Sequence, residues 1–176
     1  MNNNTRKLTY SALFLAFGII LPQIFHLFGG TGPVFLPMHI PVLLAGFFLG
    51  GPTGALIGIM TVLASAMLTG MPPVPIIYFM LFEVAVYGLA AGLAYRTYRL
   101  NVYASLVIAM VAGRIALAAS VYTLQPLLGL KLSPAGYMTG ALTGGIPGMI
   151  IQLIFIPALV IALEKVVFKN GRTSAV

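Results

Sequence analysis

Six apolar runs alternate with short breaks of Gly, Pro and basic residues along the chain, at 8–28, 34–50, 52–69, 74–95, 102–128 and 139–167. Runs of about 20 apolar residues are what a bilayer core requires, so the pattern predicts six membrane-crossing helices. The breaks carry turn chemistry: Gly29-Gly30-Thr31-Gly32-Pro33, Gly50-Gly51-Pro52, Gly70-Met71-Pro72-Pro73, and the stretches 96–101 and 129–134. The first run lacks a small-residue cleavage site and further runs follow at once, so it is expected to stay in the mature protein. The second and third runs are separated so briefly that they should form a tight helical hairpin, with Pro37 and Pro41 in its first arm. Gly46, Gly50, Gly54 and Gly58 recur every four residues across that hairpin, as Gly140, Gly144 and Gly148 do in the last run. Small residues at this spacing let helices approach closely in lipid.

Composition agrees with that medium. Of 176 residues, 60% are hydrophobic and 6% charged, and mean hydropathy is +1.08. A soluble domain carries about 25% charged residues to cover its surface. The expected fold is therefore an all-α integral membrane protein, a six-helix bundle forming one domain over 1–176 in a lipid bilayer. The chain has no Cys, which removes disulfides, thiolate metal sites and thiol nucleophiles.

A net charge of +7 raises the question of nucleic acid, but the basic residues stand singly or in short clusters between apolar runs. That is the pattern of topology anchors, so no nucleic-acid partner is expected. With a cytoplasmic N-terminus, the inner segments hold Arg6, Lys7, Arg96, Arg99, Lys165, Lys169 and Arg172. The outer segments then hold only Lys131, and Arg114 falls inside a run. The bias puts both termini in the cytoplasm.

Four polar groups stand inside the runs: His39, Glu83, Arg114 and Gln152. At 1.5 Å per residue, Glu83 lies about 13 Å and His39 about 8 Å from the outer ends of their helices. Arg114 and Gln152 fall near the middle of theirs. All four are thus expected to border one cavity in the outer half of the bilayer. Tyr87, one turn from Glu83, shares its face, and Tyr78, Tyr122 and Gln125 lie toward outer ends. Ionised groups at mid-membrane cost at least about 2.5–3.5 kcal/mol, so a chain keeps them for a reason. Two readings stand side by side: a Glu83–Arg114 pair that ties two helices together, and a polar ligand site that uses one or both.

Enzyme readings find little support. There is no Gly-x-Ser-x-Gly elbow, no clustered metal ligands or acid dyad and no P-loop. No catalytic residue, metal or cofactor is expected. A stand-alone proton-coupled carrier would use Glu83, yet six helices without an internal repeat make a minimal carrier.

The ordered segments "SALFLAFG", "GPVFLPMHIPVLLAGFFLGGPTGALIG", "LTGMPPVP", "FEVAVYGLAAGLAYR" and "AGR" resemble the substrate-binding S component of an energy-coupling factor (ECF) vitamin transporter, over nearly the whole chain. The resemblance implies high-affinity binding of a vitamin or precursor from outside, at a prokaryotic plasma membrane. It also implies docking on a transmembrane coupling (T) component that carries two ATPases, and toppling in the membrane to carry the ligand across. Ala12 and Ala16 would meet the coupling protein, and the ligand would lie toward the outer side. Among branches, the segments look most like the one assigned to cobalamin building blocks, dimethylbenzimidazole or α-ribazole. The rival is a pantothenate-type or other acidic ligand, which Arg114 would have to serve. A stand-alone carrier and a membrane scaffold without a ligand complete the open alternatives.

Overall fold

A computed structural model describes residues 3–27, 29 and 32–166. The expected ends of the first run at Phe28 and the last at Val167, parts of the 29–33 turn, and Lys169 and Arg172 lie outside them. Every regular element among the described residues is helical: α1 Asn3–Leu27, α2 Gly32–Phe35, α3 His39–Leu49, α4 Gly51–Thr69, α5 Ile76–Gly92, α6 Val102–Leu127, α7 Pro134–Gly144 and α8 Ile146–Val166. A π-helical turn, Leu93–Thr97, continues α5. Among the described residues, five helices are long and apolar enough to cross a membrane: Asn4–Phe25, Gly51–Thr69, Ile76–Thr97, Val102–Leu127 and Ile146–Glu164.

The second expected span is divided. Pro37 disfavours right-handed helix at the residue before it, and Leu36 turns left-handed at φ 51°. The break separates α2 from α3, which at 11 residues is only about 16 Å long against a hydrocarbon core of about 30 Å. What α3 lacks in length it makes up in burial. Val42, Leu43 and Ala45 are wholly enclosed, because α1, α4, α5 and α8 all pack around it.

Glycines make that packing possible. A Cβ on Gly54 would stand 2.6 Å from the Gly88 carbonyl oxygen, and one on Gly58 would stand 2.8 Å from that of Val84. The backbones of α4 and α5 therefore touch directly, and Gly46 of α3 lies against Gly88 in the same seam. Gly50 does something else: at φ 94° it forms the sharp turn between α3 and α4, and Pro52 sits in the first turn of α4.

The sixth expected span also divides. α7 ends at Gly144 and α8 starts at Ile146, with Pro147 at its second position. Ser133 caps α7, its Oγ accepting from Gly136 N at 3.2 Å. No residue of α7 is buried, and Gly140 and Gly144 have no neighbour within reach of a Cβ, so close packing explains neither. Gly148 does pack, against the backbone of Val34 and Phe35 in α2.

Two apolar clusters result. The larger includes Val42, Phe47, Val84, Tyr87, Leu106 and Ile156. The smaller joins Phe79, Leu117 and Val121, with Tyr137 packed on it. At the α3 C-terminal end of the bundle, Tyr95 donates to Glu164 Oε1 at 2.6 Å, and Arg96 donates to the Phe48 carbonyl. The second of the chain's two acidic residues is thereby engaged.

Candidate functional site

Glu83 lies on α5 one turn from Phe79 of the smaller cluster and one turn from Tyr87 of the larger. Arg114 stands likewise on α6 between Met110 and Leu117. The polar groups therefore form a layer between two apolar regions. Arg114 Nη1 donates to Glu83 Oε1 at 3.0 Å, and His39 Nε2 stands 3.6 Å from the same oxygen. Groups from α3, α5 and α6 thus converge on one carboxylate. The side chains of Glu83 and Arg114 are 4% and 11% exposed, so each charge depends on the other to offset its lost hydration.

The local chain explains the convergence. Because the backbone breaks at Leu36, α3 starts afresh at His39, whose N–H donates to Leu36 O at 3.1 Å. This places the imidazole at the beginning of a helix, level with Glu83 on α5. His39 is 1% exposed and meets the Tyr87 ring edge-on, with centroids 4.7 Å apart. Neither of its ring nitrogens has a hydrogen-bond partner among the described residues. The Tyr87 ring rests on the bare Cα of Gly113, where any side chain would overlap it. Its hydroxyl comes near the Arg114 guanidinium without completing a hydrogen bond.

Gln152 brings α8 to the same place. It is wholly buried, its Nε2 donates to Leu36 O at 3.4 Å, and its Oε1 has no partner among the described residues. At the α7–α8 junction, a Cβ on Gly145 would lie 2.7 Å from Arg114 Nη2 and 3.3 Å from Leu36 Cδ1. The missing side chain leaves the guanidinium its room. Tyr137 of α7 packs on Phe79 with centroids 5.4 Å apart. Burial raises the pKa of its hydroxyl, the charge of Glu83 adds to that, and Arg114 acts the other way.

Glu83, Arg114, His39 and Tyr87 are therefore neighbours, and Gln152 adjoins them through Leu36 O. The other expected residues stand apart from them. Tyr78 and Tyr122 are 39% and 55% exposed, and Gln125 donates to the Leu130 carbonyl, tying the end of α6 to the following loop. Ala12 and Ala16 face outward on α1, away from Phe14, Gly18 and Pro22, which turn inward. Sequence reasoning missed Leu36, Gly113, Gly145 and Tyr137. Pro37 was a signal for the first, and a Gly directly before the intramembrane Arg for the second.

The layer offers one carboxylate, a guanidinium, an imidazole, an amide and a phenol. Arg114 uses Nη1 for Glu83, while Nε and Nη2 have no partner among the described residues. Those two nitrogens share one edge of the guanidinium, the edge that presents two parallel N–H groups to a planar acceptor. Among the described residues there is no group of three His, Asp or Glu able to hold a metal ion.

Residues 6–162 match the family model described as ECF transporter, substrate-specific component. No curated protein matches, and no solved structure does.

Proposed function

The chain belongs to the family of ECF-transporter substrate-specific components, and from that premise we propose that it is the high-affinity vitamin- or precursor-binding subunit of an ATP-driven importer. Membership makes it a membrane transport protein with a small-molecule substrate, associated with T and ATPase components. In our reading it sits in a prokaryotic plasma membrane with six crossings and both termini cytoplasmic. The second crossing is α2 and α3 together, and the sixth is α8. Ligand enters from outside past Tyr78, Tyr122 and Gln125 and settles against His39, Glu83, Tyr87, Arg114 and Gln152. Ala12 and Ala16 meet the T component, and two partner ATPases hydrolyse ATP.

One observation carries this reading. Polar side chains from α3, α5, α6 and α8 converge between two apolar clusters. Buried polar groups with unused hydrogen-bonding capacity are what fix the orientation of a bound ligand.

Two ligand chemistries compete. A cobalamin building block, benzimidazole or α-ribazole, rests on the segment resemblance and would stack on Tyr87 and Tyr137. An acidic ligand of the pantothenate type has a specific observation in its favour. Arg114 holds Glu83 through Nη1 and still keeps a two-donor edge, so it serves both without leaving Glu83 unpaired. The geometry favours the acid.

The test is uptake of labelled vitamins by cells expressing this chain with and without the T component and its ATPases. Uptake should collapse without them. Uptake that persists would make the chain a stand-alone carrier instead.

A further inference from the structure

The geometry points to a carboxylate on the ligand held by the Nε–Nη2 edge of Arg114, with His39 taking up a proton as that carboxylate binds. This rests on the substrate-binding reading above and specifies the ligand's class at that site.

The donors come first. Arg114 has a buried edge with two N–H directions that complete no hydrogen bond among the described residues, although the Tyr87 hydroxyl is near the guanidinium. The chain has only two acidic residues. Glu83 already faces Nη1, and Glu164 accepts from Tyr95 at the other end of the bundle. No second side-chain carboxylate among the described residues is therefore available for that edge. A planar group with two oxygens fits it in a bidentate manner. Gly145 comes up against Nη2, where a Cβ would stand only 2.7 Å away, so a bare Cα there is what lets the guanidinium keep this orientation.

Charge comes second. Glu83 and Arg114 balance one another in the unliganded layer. A ligand carboxylate would leave one uncompensated negative charge in a buried site, which is costly. His39 Nε2 stands 3.6 Å from Glu83 Oε1, in a ring whose two nitrogens are both without hydrogen bonds among the described residues. A proton there restores neutrality, with two cations facing two carboxylates.

The other groups facing His39 do not supply that proton's charge. α5 adds Tyr87, whose ring meets the imidazole edge-on, and α8 adds the neutral Gln152, bonded to Leu36 O beside it. α4 carries no titratable residue. On α1, Arg6, Lys7 and Tyr10 lie in the first turns, toward the opposite end of α3, where Phe14 stacks on Phe48. His26 is the chain's other histidine and serves as the control.

The experiment is titration calorimetry on the purified full chain in mild detergent, between pH 5.5 and 7.5. The probes are matched acid and neutral pairs, pantothenate with panthenol and nicotinate with nicotinamide, together with biotin, benzimidazole and α-ribazole. One acid should bind, with any neutral counterpart about a hundredfold weaker. Its affinity should rise as pH falls, by up to about tenfold per unit for one linked proton. Buffers of different ionisation enthalpy should report uptake of about one proton. His39→Gln should abolish that uptake, and His26→Gln should retain it. Arg114→Lys, which keeps the charge but loses the two-donor edge, should lose the preference for acid over neutral.

Tight binding of neutral compounds alone, or acid binding without proton uptake, overturns this inference and leaves the transport reading standing. Proton uptake that survives His39→Gln overturns it as well. Failure of every probe to bind counts against the substrate-binding reading itself.

Discussion

Arg114 Nη1 donates to Glu83 Oε1 at 3.0 Å, joining α6 to α5 where both helices are otherwise lined by apolar residues. Removing one member of such a pair strands the other charge in a buried site, at a cost of about 3–5 kcal/mol. Glu83→Gln and Arg114→Met should each lower the unfolding temperature in detergent and each weaken ligand binding. The double variant should cost less than the sum of the two, because neither charge is then stranded. If stability falls but ligand affinity does not change in either single variant, the pair is only a brace between helices.

The glycines of the seam and of α7 should respond in opposite ways. Gly88→Ala drives a methyl group into the backbone of Gly54, and overpacking of this kind costs about 1–3 kcal/mol. Gly140→Ala meets nothing within 4 Å and replaces a helix-interior Gly, so it should be neutral or stabilising by up to about 1 kcal/mol. Thermal unfolding of the two purified variants checks both. Equal effects would contradict the backbone contact between α4 and α5.

This contrast also marks how far the sequence could be read. Spacing alone grouped Gly46, Gly50, Gly54 and Gly58, and likewise Gly140, Gly144 and Gly148, yet only Gly46, Gly54, Gly58 and Gly148 meet another backbone. Periodicity reports which residues share a helix face, not whether a second helix lies against it. The charge cluster was more legible, because an acid and a guanidinium deep in apolar runs have few ways to be satisfied, and depth along each helix put them level. Tyr87 followed from its spacing to Glu83. The breaks at Leu36 and Gly145 had signals in Pro37 and in the Gly144-Gly145-Ile146-Pro147 stretch, but the runs around them stay apolar, and hydropathy does not register a change of backbone direction. That Gly145 and Tyr137 would border the layer had no local signal. They reach the layer only because α7 folds back over α6.

At the α3 C-terminal end of the bundle, Tyr95 holds Glu164 while its ring packs edge-on against Phe47, with centroids 5.0 Å apart. Tyr95→Phe keeps the ring and removes the donor. It should cost about 1.5 kcal/mol, the lower end for a bond to a charged acceptor. Ligand affinity should not change, since Tyr95 lies about 18 Å along the helix from Glu83. A large loss of affinity in this variant would show that the two ends are coupled.

The outward face of α1 at Ala12 and Ala16 separates binding from transport. Ala12→Trp and Ala16→Trp should abolish uptake in cells while ligand binding to the purified protein is retained, because the bulk obstructs only the contact with the T component. Normal uptake by both variants would remove α1 from the docking surface.

In the proposed function, the polar layer around Glu83 and Arg114 holds a vitamin or precursor. The most direct measurement is to purify the wild-type chain and Arg114→Met in the same mild detergent, denature both, and identify and quantify the released small molecule by mass spectrometry. The wild type should release a vitamin or precursor bearing a carboxylate, and the variant little or none. Equal release of the same compound from both would contradict it, since the ligand would then be held somewhere that Arg114 does not reach.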